Sequence, residues 1–445
     1  MILIDRKLLN LGKIKEVYKK YIVPDVKTRV EEELKKANEP SLTDSHKIAI
    51  SFLQEYFVDK NSEVSSDSIA RYLFDETLSD PQAYLESVIL SYWRCVLRVW
   101  HIKNKIKMPT EAEIKALSKW KAIKEYAKKQ CDPKERIKAV QSVVTNGTYH
   151  LFYNVTRKEV FSWSISATEI SDERLKELEL LPELCKDLFA DKEKQGIPPT
   201  ATKDDSALDI LEDIFIYERL NRILAKGSPR HQLLAAMNVP VCPYCNRQYI
   251  SIYTDAKSEK TTADLDHFYI KSQYPYLALS LYNFIPSCQI CNSRFKGTTD
   301  FYIKPHVYPY SQCFGEKTKF KLKLDASLLD DSSNWSEIKM IELADGSKSE
   351  TVANSIDTFL LDKVYQSHVD YVQEIWFKSR MYTPDKIEML GEEFSELFDT
   401  ERSIADLIFG QYLECSQLHK RPLSKLTRDI LIECYSEDFI RKYNL

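Results

Sequence analysis

Two Cys-x-x-Cys pairs constrain the fold of this chain more than any other feature. The first pair is Cys242 with Cys245, and the second is Cys288 with Cys291. Each pair can present two thiolates to one tetrahedral zinc ion, and two pairs fill its coordination sphere. A filled sphere has no open position for a substrate, so the pattern predicts a structural zinc site. The pairs lie farther apart than the ~15 to 20 residues of a plain four-cysteine site, which leaves room for a β-hairpin between them.

Disulfide bonds are the alternative explanation of these cysteines. The chain opens with MILIDRKLLN, which has no apolar signal core, and no apolar run is long enough to cross a bilayer. We therefore expect a cytoplasmic protein without membrane contact, in a reducing compartment that favours metal over disulfide. The remaining cysteines are expected to be small buried hydrophobic residues: Cys95, Cys131, Cys185, Cys313, Cys415 and Cys434.

The residues between the pairs show strand and helix patterns. Residues 248–254 are rich in Tyr and Ile and follow a turn, and residues 264–269 and 277–285 are two further extended runs. A helix is predicted over residues 288–296, and Gly297 would end it. On that helix Asn292 and Lys296 share a face because they are four residues apart.

This strand, strand, helix unit resembles the HNH endonuclease family, whose fold is called ββα-metal. The resemblance covers under a quarter of the chain, and it rests on CPYC at 242–245, Asp266, His267, Asn283, and CNSRFK at 291–296. It implies that His267 is the general base and that Asp266 and Asn292 hold a catalytic metal ion. It also implies that Asn283 orients the strand that carries His267.

Two positions depart from the commonest form of the family pattern. Asn292 stands where a His is often found, although the family also uses Asn there. Ile270 stands where a Pro commonly follows the Asp-His dipeptide. The second departure bears on the geometry of the hairpin but removes no chemical group from the predicted site.

These residue types suit the hydrolysis of a phosphodiester. A His with a pKa near neutrality can take a proton from water, which typically contributes ~10² to 10⁴-fold to a rate. The carboxylate of Asp266 and the amide carbonyl of Asn292 are hard oxygen donors, which suit Mg²⁺ or Mn²⁺ better than zinc. Arg294 and Lys296 are candidates for phosphate contacts. The alternative for both is an ordinary solvated helix flank.

The histidines also have structural interpretations. A His beside an Asp is more often a structural residue that the carboxylate orients. His267 is predicted to be a base because it lies between the cysteine pairs, with Asn283 and Asn292 at supporting positions. His306, in the sequence KPHVYPY, is the next candidate. We expect His306 to be structural because nothing near it completes a site.

Composition and length predict the architecture around this unit. At 445 residues the chain is long enough for about three domains. Only 9 of its 445 residues are glycine, a fraction far below the usual ~7%. This scarcity favours helices over tight turns. We predict a mainly α fold with a small α+β insertion. The regions are a helical N-terminal part (1–230) for partner or DNA binding, a zinc-stapled catalytic domain (231–315), and a β-hairpin followed by helices (316–445).

Charge gives a local rather than a global indication of nucleic-acid binding. A net charge of −4 argues against a generally basic binding protein. Basic residues nevertheless outnumber acidic ones over residues 103–136, and a second basic group lies over residues 420–428. Either group could neutralise backbone phosphates. The alternative for each is a solvated helix face.

Together these patterns predict a metal-dependent HNH endonuclease that hydrolyses DNA. The helical arms and the PLSKLTRDIL stretch resemble, more loosely, the HNH nucleases of bacterial anti-phage systems such as Septu, which work beside a separate ATPase. No GxxxxGK[S/T] phosphate loop occurs, so any ATP dependence is expected to come from such a partner subunit. Two alternatives stay open. One is a zinc-dependent nucleic-acid-binding module without cleavage, and the other is an HNH-type ribonuclease.

Overall fold

The protein is mainly helical, as the scarcity of glycine predicts. The computed structural model describes residues 1–59, 61–104, 140–145, 148–154, 160–166, 206–222, 227–254, 259–315, 318–322, 338–342, 349–397 and 401–436. Within these residues the α-helices are α1 (Leu11–Val17), α2 (Val23–Lys35), α3 (Asp44–Phe57), α4 (Ser66–Leu73), α5 (Pro81–Asn104), α6 (Ala207–Ile214), α7 (Pro229–Met237), α8 (Glu350–Thr358), α9 (Leu361–Val364), α10 (Val369–Met381), α11 (Pro384–Glu393), α12 (Glu401–Phe409) and α13 (Ser424–Cys434).

The strands pair only with neighbours in the sequence. They are β1 (Val140–Thr145), β2 (Thr148–Asn154), β3 (Val160–Ser166), β4 (Ile252–Thr254), β5 (Glu259–Thr261), β6 (Ala263–His267), β7 (Phe284–Cys288), β8 (Thr318–Leu322) and β9 (Ile338–Glu342). All pairs are antiparallel: β1, β2 and β3 form one sheet, and β4–β5, β6–β7 and β8–β9 form two-stranded sheets. The β-hairpin predicted at the start of region 316–445 is β8 with β9.

The N-terminal helices build an aromatic core. Helix α3 begins after Thr43, whose hydroxyl accepts a hydrogen bond from the His46 amide, and it buries Phe52 and Phe57. These rings lie against Tyr72 of α4, with centroid distances of 6.4 and 4.9 Å. Aromatic pairs at such distances stabilise a core beyond the area that they bury. The predicted helical character of this region is therefore confirmed for its described residues.

The sequence predicts an amphipathic helix over residues 205–226 that begins with a capping box of Ser206 and Asp209. In the structure the capping box is present, and Ser206 and Asp209 bond to each other's backbone amides, but the helix ends at Ile214. A separate 3₁₀ turn, Tyr217–Asn221, follows. After the break, Phe215 packs in the core against Tyr72, with ring centroids 5.9 Å apart. Tyr217 contacts His267, with ring centroids 4.6 Å apart. Tertiary packing of these two rings thus overrides the local helical pattern.

The hairpin between the cysteine pairs is formed by β6 and β7. Its register pairs Ala263 with Cys288 at one end and His267 with Phe284 at the other. The predicted extended run over 277–285 was wrong in part, because 3₁₀ turns occupy Pro275–Leu277 and Leu281–Asn283 before β7 begins. The predicted strand over 248–254 is reduced to β4 and a single bridge from Tyr249 to Val241.

The helix after the hairpin is a π-helix rather than the expected α-helix. It spans Ile290–Lys296 and ends at Gly297, whose φ of +50° lies in the left-handed region that glycine favours. The Gly297 amide donates to the Asn292 carbonyl at 3.0 Å. Four residues make nearly one turn of a π-helix as they do of an α-helix, so Asn292 and Lys296 lie on the same side of it, as predicted.

The C-terminal helices pack on the cysteine region through buried polar contacts. On α13, Lys425 Nζ donates to Asp429 at 2.7 and 2.9 Å, and Asp429 also accepts from the Phe320 amide of β8. The Asn246 side chain bonds to the Leu418 carbonyl and to the Lys425 amide. The buried apolar residues of the three predicted regions form one continuous cluster. No helix in the described part of the chain is long and apolar enough to span a bilayer.

Candidate functional site

The four predicted cysteines converge on one point. Their sulfur atoms all lie within 4.8 Å of one another, and all four residues are buried. Among the described residues, this is the one group of three or more His, Cys, Asp or Glu side chains that could hold a metal ion. The four thiols fit a tetrahedral zinc ion, which four cysteine thiolates bind at about 2.3 Å.

The backbone around the cluster is built to hold the sulfurs in place. After Cys245 the chain turns at Asn246, whose φ is +49°, and the Arg247 amide donates to Cys245 Sγ at 3.4 Å. Tyr365 reaches from the C-terminal region to donate to the Cys245 carbonyl at 2.6 Å. Hydrogen bonds from Cys242, Cys245 and Cys291 hold the pKa of the Cys288 thiol well below its usual value. A thiolate is the form that binds zinc, so this environment suits a metal ligand.

The expectation that the other cysteines are buried was wrong for two of them. Cys313 and Cys415 are exposed, and Cys434 is half-buried. Cys95 is buried, as predicted. Cys131 and Cys185 lie outside the described residues. Since the spacing of single cysteines carries no information about burial, only the two pairs could be interpreted from the sequence.

His267 lies at the end of β6 that is remote from the cysteines, and it lines a cleft of about 430 Å³. Its Nε2 lies 3.0 Å from the Ala278 carbonyl oxygen. A carbonyl has no proton to give, so Nε2 is the donor of this bond and Nδ1 is the basic nitrogen of the neutral ring. Burial lowers the pKa of His267 to about 4, although the Ala278 bond and the Asp266 charge oppose that change. At neutral pH the imidazole is therefore neutral.

Asp266 is held by two buried partners rather than left available in the cleft. Lys296 Nζ donates to its two carboxylate oxygens at 2.7 and 2.9 Å, and Tyr244 Oη donates to Oδ2 at 2.7 Å. The Lys296 ammonium also bonds to the His267 carbonyl. Burial lowers the pKa of Lys296, and the charge of Asp266 opposes this shift. The Lys296 ammonium thus balances the negative charge of the Asp266 carboxylate.

This arrangement corrects the expectation for Lys296. The sequence predicted a helix-face cation available to a phosphate, or else a solvated flank, but only 3% of the residue is exposed. Its ion pair with Asp266 joins the π-helix to β6, and the spacing of residues along the chain does not indicate a contact between two separate elements. Arg294 is exposed on the same π-helix and is not among the described residues that line the cleft.

The two predicted asparagines have different positions. Asn283 is fully buried, and its amide group accepts from the Tyr269 amide at 2.7 Å and donates to the Tyr269 and Leu277 carbonyls. It thereby fixes the loop that follows His267. Asn292 is half-buried at the cleft and donates to Asp264 Oδ2 at 3.0 Å. The contact that the structure gives Asn292 is thus with Asp264, not with Asp266.

His306 has the structural position that the sequence favours. It is buried, its ring stacks on Phe301 with centroids 3.8 Å apart, and Nε2 lies 2.8 Å from the Thr358 hydroxyl. Burial lowers the pKa of His306 to about 3. A neutral His306 is therefore part of the packing between Phe301 and the end of α8.

Sequence reasoning missed one whole wall of the cleft. Asp264 lies two residues before Asp266 on β6, and alternation along a strand is a signal that could have found it. The other missed residues have no such signal, since Tyr217, Asn221 and Arg230 come from the helical region and Lys271 from the loop after β6. Of the basic stretch predicted over 103–136, only residues 103 and 104 fall within the described part of the chain.

No protein-family model, curated protein or solved structure matches the chain. The arrangement of the residues around the cleft is therefore the basis for any functional assignment.

Proposed function

We propose that this protein is a metal-dependent HNH-type endonuclease that hydrolyses phosphodiester bonds of DNA, with His267 as the general base. The observation that carries the proposal is the bond between His267 Nε2 and the Ala278 carbonyl, beside a polar cleft. It fixes the tautomer and directs the basic Nδ1 away from its structural partner. A general base must be neutral and within reach of the proton that it takes. Burial of His267 lowers its pKa to about 4, which keeps the ring neutral at physiological pH but makes it a weaker base than the near-neutral histidine that the sequence predicts.

The residues around His267 suit this role. The imidazole lies between the rings of Tyr217 and Phe284, at centroid distances of 4.6 and 5.2 Å. These edge-on contacts and the Ala278 bond limit its rotation. Nδ1 takes a proton from a water molecule in the cleft, the water oxygen attacks phosphorus, and one ester oxygen leaves as the phosphorus–oxygen bond breaks. Orientation of the base before reaction lowers the entropic part of the barrier.

The cleft also offers oxygen donors for Mg²⁺ or Mn²⁺. Asp264 and Asn292 line it together, and a carboxylate with an amide carbonyl is a donor set that hard cations prefer. Asp266 fits less well, because Lys296 already neutralises its carboxylate. We therefore assign the divalent ion to Asp264 and Asn292 instead of Asp266 and Asn292. When bound, such an ion would supply positive charge to the phosphate oxygens.

The zinc cluster has a structural part in this proposal. Cys288 ends β7, and the register joins it to Ala263 of β6, whereas His267 lies at the other end of the same pair of strands. The cluster thus anchors one end of the hairpin whose other end carries the base. With four thiol ligands present, the zinc ion would have no open position for a substrate.

The test is a cleavage assay with the full chain. Supercoiled plasmid and total RNA are incubated with the protein and Mg²⁺ or Mn²⁺, and wild type is compared with His267→Ala. We expect nicked or linear plasmid with wild type and a loss of ~10² to 10⁴-fold in rate with the variant. His419→Ala is the matched control, since His419 is half-buried outside the cleft. Unchanged cleavage by His267→Ala would contradict the proposal.

The same assay separates the alternatives. Zinc-dependent binding of both nucleic acids with no cleavage under any metal condition would support the non-catalytic module. Cleavage of RNA alone would support the ribonuclease. Equal circular dichroism spectra of wild type and His267→Ala are required before any loss of rate is attributed to the base.

We further propose that the nuclease works in a complex with a separate ATPase subunit, as the effector of a bacterial anti-phage defence system. Exposed apolar side chains on the C-terminal helices support the presence of a protein partner. Six of the eleven large exposed apolar residues in the described part of the chain lie between residues 377 and 407: Phe377, Met381, Met389, Phe394, Leu397 and Leu407. Clustered exposed apolar groups are typical of interaction surfaces. Pull-down and size-exclusion of the native complex test this, and an isolated, constitutively active monomer would contradict it.

A further inference from the structure

One wall of the cleft is supplied by the helical region before the cysteine unit. This wall consists of Tyr217 and Asn221 from a 3₁₀ turn and Arg230 from the first turn of α7. Lys271, from the loop after β6, also lines the cleft. Among the described residues that line the cleft, the acidic ones are Asp264 and Asp266, and both belong to the hairpin. Lys296 already balances the charge of Asp266, so Arg230 and Lys271 are the cations of the cleft that a ligand can engage.

The contacts of Arg230 fix its position but use only some of its hydrogen-bond donors. One Nη donates to the Ala263 carbonyl at 3.3 Å and lies 3.8 Å from Asp264 Oδ1. The charge of Arg230 opposes the rise that burial causes in the pKa of Tyr217, so the guanidinium lies near that hydroxyl, and 24% of the Arg230 side chain is exposed. These contacts use fewer than the five N–H donors of a guanidinium. The remaining donors form a planar fork that matches two oxygens of a phosphate.

Lys271 lies at the rim with a weak partner. Its ammonium pairs with Glu218 and lies 5.0 Å from the centre of the Tyr217 ring. The Glu218 side chain is 62% exposed and that of Lys271 is 36% exposed. Ion pairs this exposed contribute little to stability. A phosphate that enters the cleft can therefore replace the Glu218 carboxylate at small cost.

Tyr217 connects this wall to the base. Its ring contacts the imidazole of His267 edge-on, and its hydroxyl lies close enough to Arg230 for that charge to oppose the rise in pKa that burial causes. Tyr217 therefore adjoins both the guanidinium and the base.

We propose that Arg230 binds the non-bridging oxygens of the phosphodiester that is cleaved and that Lys271 binds a neighbouring phosphate of the same DNA strand. This inference rests on the proposed nuclease function. It makes the helical region before the cysteine unit part of the active site and assigns a phosphate-binding role to two residues outside the motifs.

The test measures binding separately from cleavage. Binding of a fluorescein-labelled DNA duplex of about 20 base pairs is followed by anisotropy over a salt series, in the His267→Ala background and without divalent ions. A same-sequence RNA duplex forms a second arm. We expect Arg230→Gln to weaken DNA binding by about 10- to 100-fold, since the free energy that hydrogen bonds to charged groups contribute corresponds to a change in affinity of this size. We also expect it to reduce the slope of log Kd against log salt by about one.

The matched control is Arg222→Gln. Arg222 is an exposed arginine near the same 3₁₀ turn but does not line the cleft. Arg230→Lys keeps the charge but removes the fork, so it should bind DNA more weakly than wild type and retain the salt slope. Lys271→Gln should reduce the slope and change affinity less than Arg230→Gln.

The outcomes distinguish this inference from the nuclease proposal. Arg230-dependent binding by a chain that never cleaves DNA would support the phosphate site and contradict the nuclease. Cleavage by wild type, with affinity and salt slope equal in Arg230→Gln and Arg222→Gln, would overturn the phosphate site and leave the nuclease in place. Arg230-dependent binding of RNA but not DNA would overturn the assignment to a DNA strand.

Discussion

The cysteine cluster and His267 lie at opposite ends of one hairpin, and the cleft runs along β6 toward the cluster, yet the cluster and the cleft are assembled in different ways. The cluster consists of two short motifs, and its four residues are the ones that the spacing indicates. The cleft combines residues of β6, the π-helix, a 3₁₀ turn and α7. A site built from local motifs can be predicted from sequence, whereas a site built between remote elements depends on how they pack. The predictions below test whether the two ends depend on each other.

The largest effect is expected from loss of the cluster. Cys288→Ser, or removal of the metal with a chelator, should unfold the region that includes β6 and β7, because four-cysteine zinc binding contributes an apparent ~10 kcal/mol or more to folding. Elemental analysis should find zinc in wild type and none in the variant, and calorimetry should show a lowered Tm. Cys313→Ser is the control, since Cys313 is exposed and outside the cluster. A folded, zinc-free wild-type chain would contradict this prediction.

A smaller effect is expected from breaking the ion pair in the cleft. Asp266→Asn leaves the buried Lys296 ammonium without its counter-ion, which should lower the free energy of unfolding by ~3 to 5 kcal/mol. The comparison is Asp357→Asn, which breaks an exposed pair with Lys304 and should cost less than ~1 kcal/mol.

Two further variants sharpen the assignment of the two aspartates. Adding Lys296→Met to Asp266→Asn should recover part of the lost stability, because no unpaired buried charge is left. Asp264→Asn should change stability little, since Asp264 is half-buried, but it should reduce Mg²⁺-dependent cleavage. Urea unfolding and the plasmid assay measure the two properties. Equal stability of Asp266→Asn and Asp357→Asn would show that the buried pair contributes nothing.

Acid should destabilise the protein through its buried histidines. Burial lowers the pKa of His267 to about 4 and of His306 to about 3, against ~6.5 in an unfolded chain. The unfolded state therefore binds more protons between these values, and stability is full above pH ~6.5 and falls as the pH decreases toward 4. Each histidine should remove ~2 kcal/mol between pH 6.5 and 5. His306→Phe should reduce the pH slope of urea unfolding, and an unchanged slope would contradict this account.

The smallest expected effect is a change in the pKa of His267 when its contact with Tyr217 is removed. Tyr217→Ala exposes the imidazole, so the pKa of His267 should rise from about 4 toward ~6.5, because loss of burial restores solvation of the charged form. A titration of the His267 ring protons by NMR measures the shift. Tyr253→Ala is the control, since Tyr253 is exposed. Zinc content should be unchanged in both variants, and a parallel loss of zinc would show that the two ends are coupled.

The sequence by itself determined the parts of this protein that depend on short-range spacing. The cysteine cluster, the hairpin strand that carries His267, the capping box at Ser206 and the helical character of the chain were all predicted from patterns that lie close together along the chain. In these features each residue meets partners within a few positions or within one hairpin. Local geometry and hydrophobic periodicity are then sufficient.

Only the tertiary structure decided which side chains meet at the cleft. Lys296 of the π-helix pairs with Asp266 of β6, and the break after Ile214 brings Tyr217 to His267. Both contacts join residues of separate elements, and both arise because the core buries particular aromatic and apolar side chains. The free energy of that burial depends on the whole packed cluster, so no local pattern in the sequence specifies it.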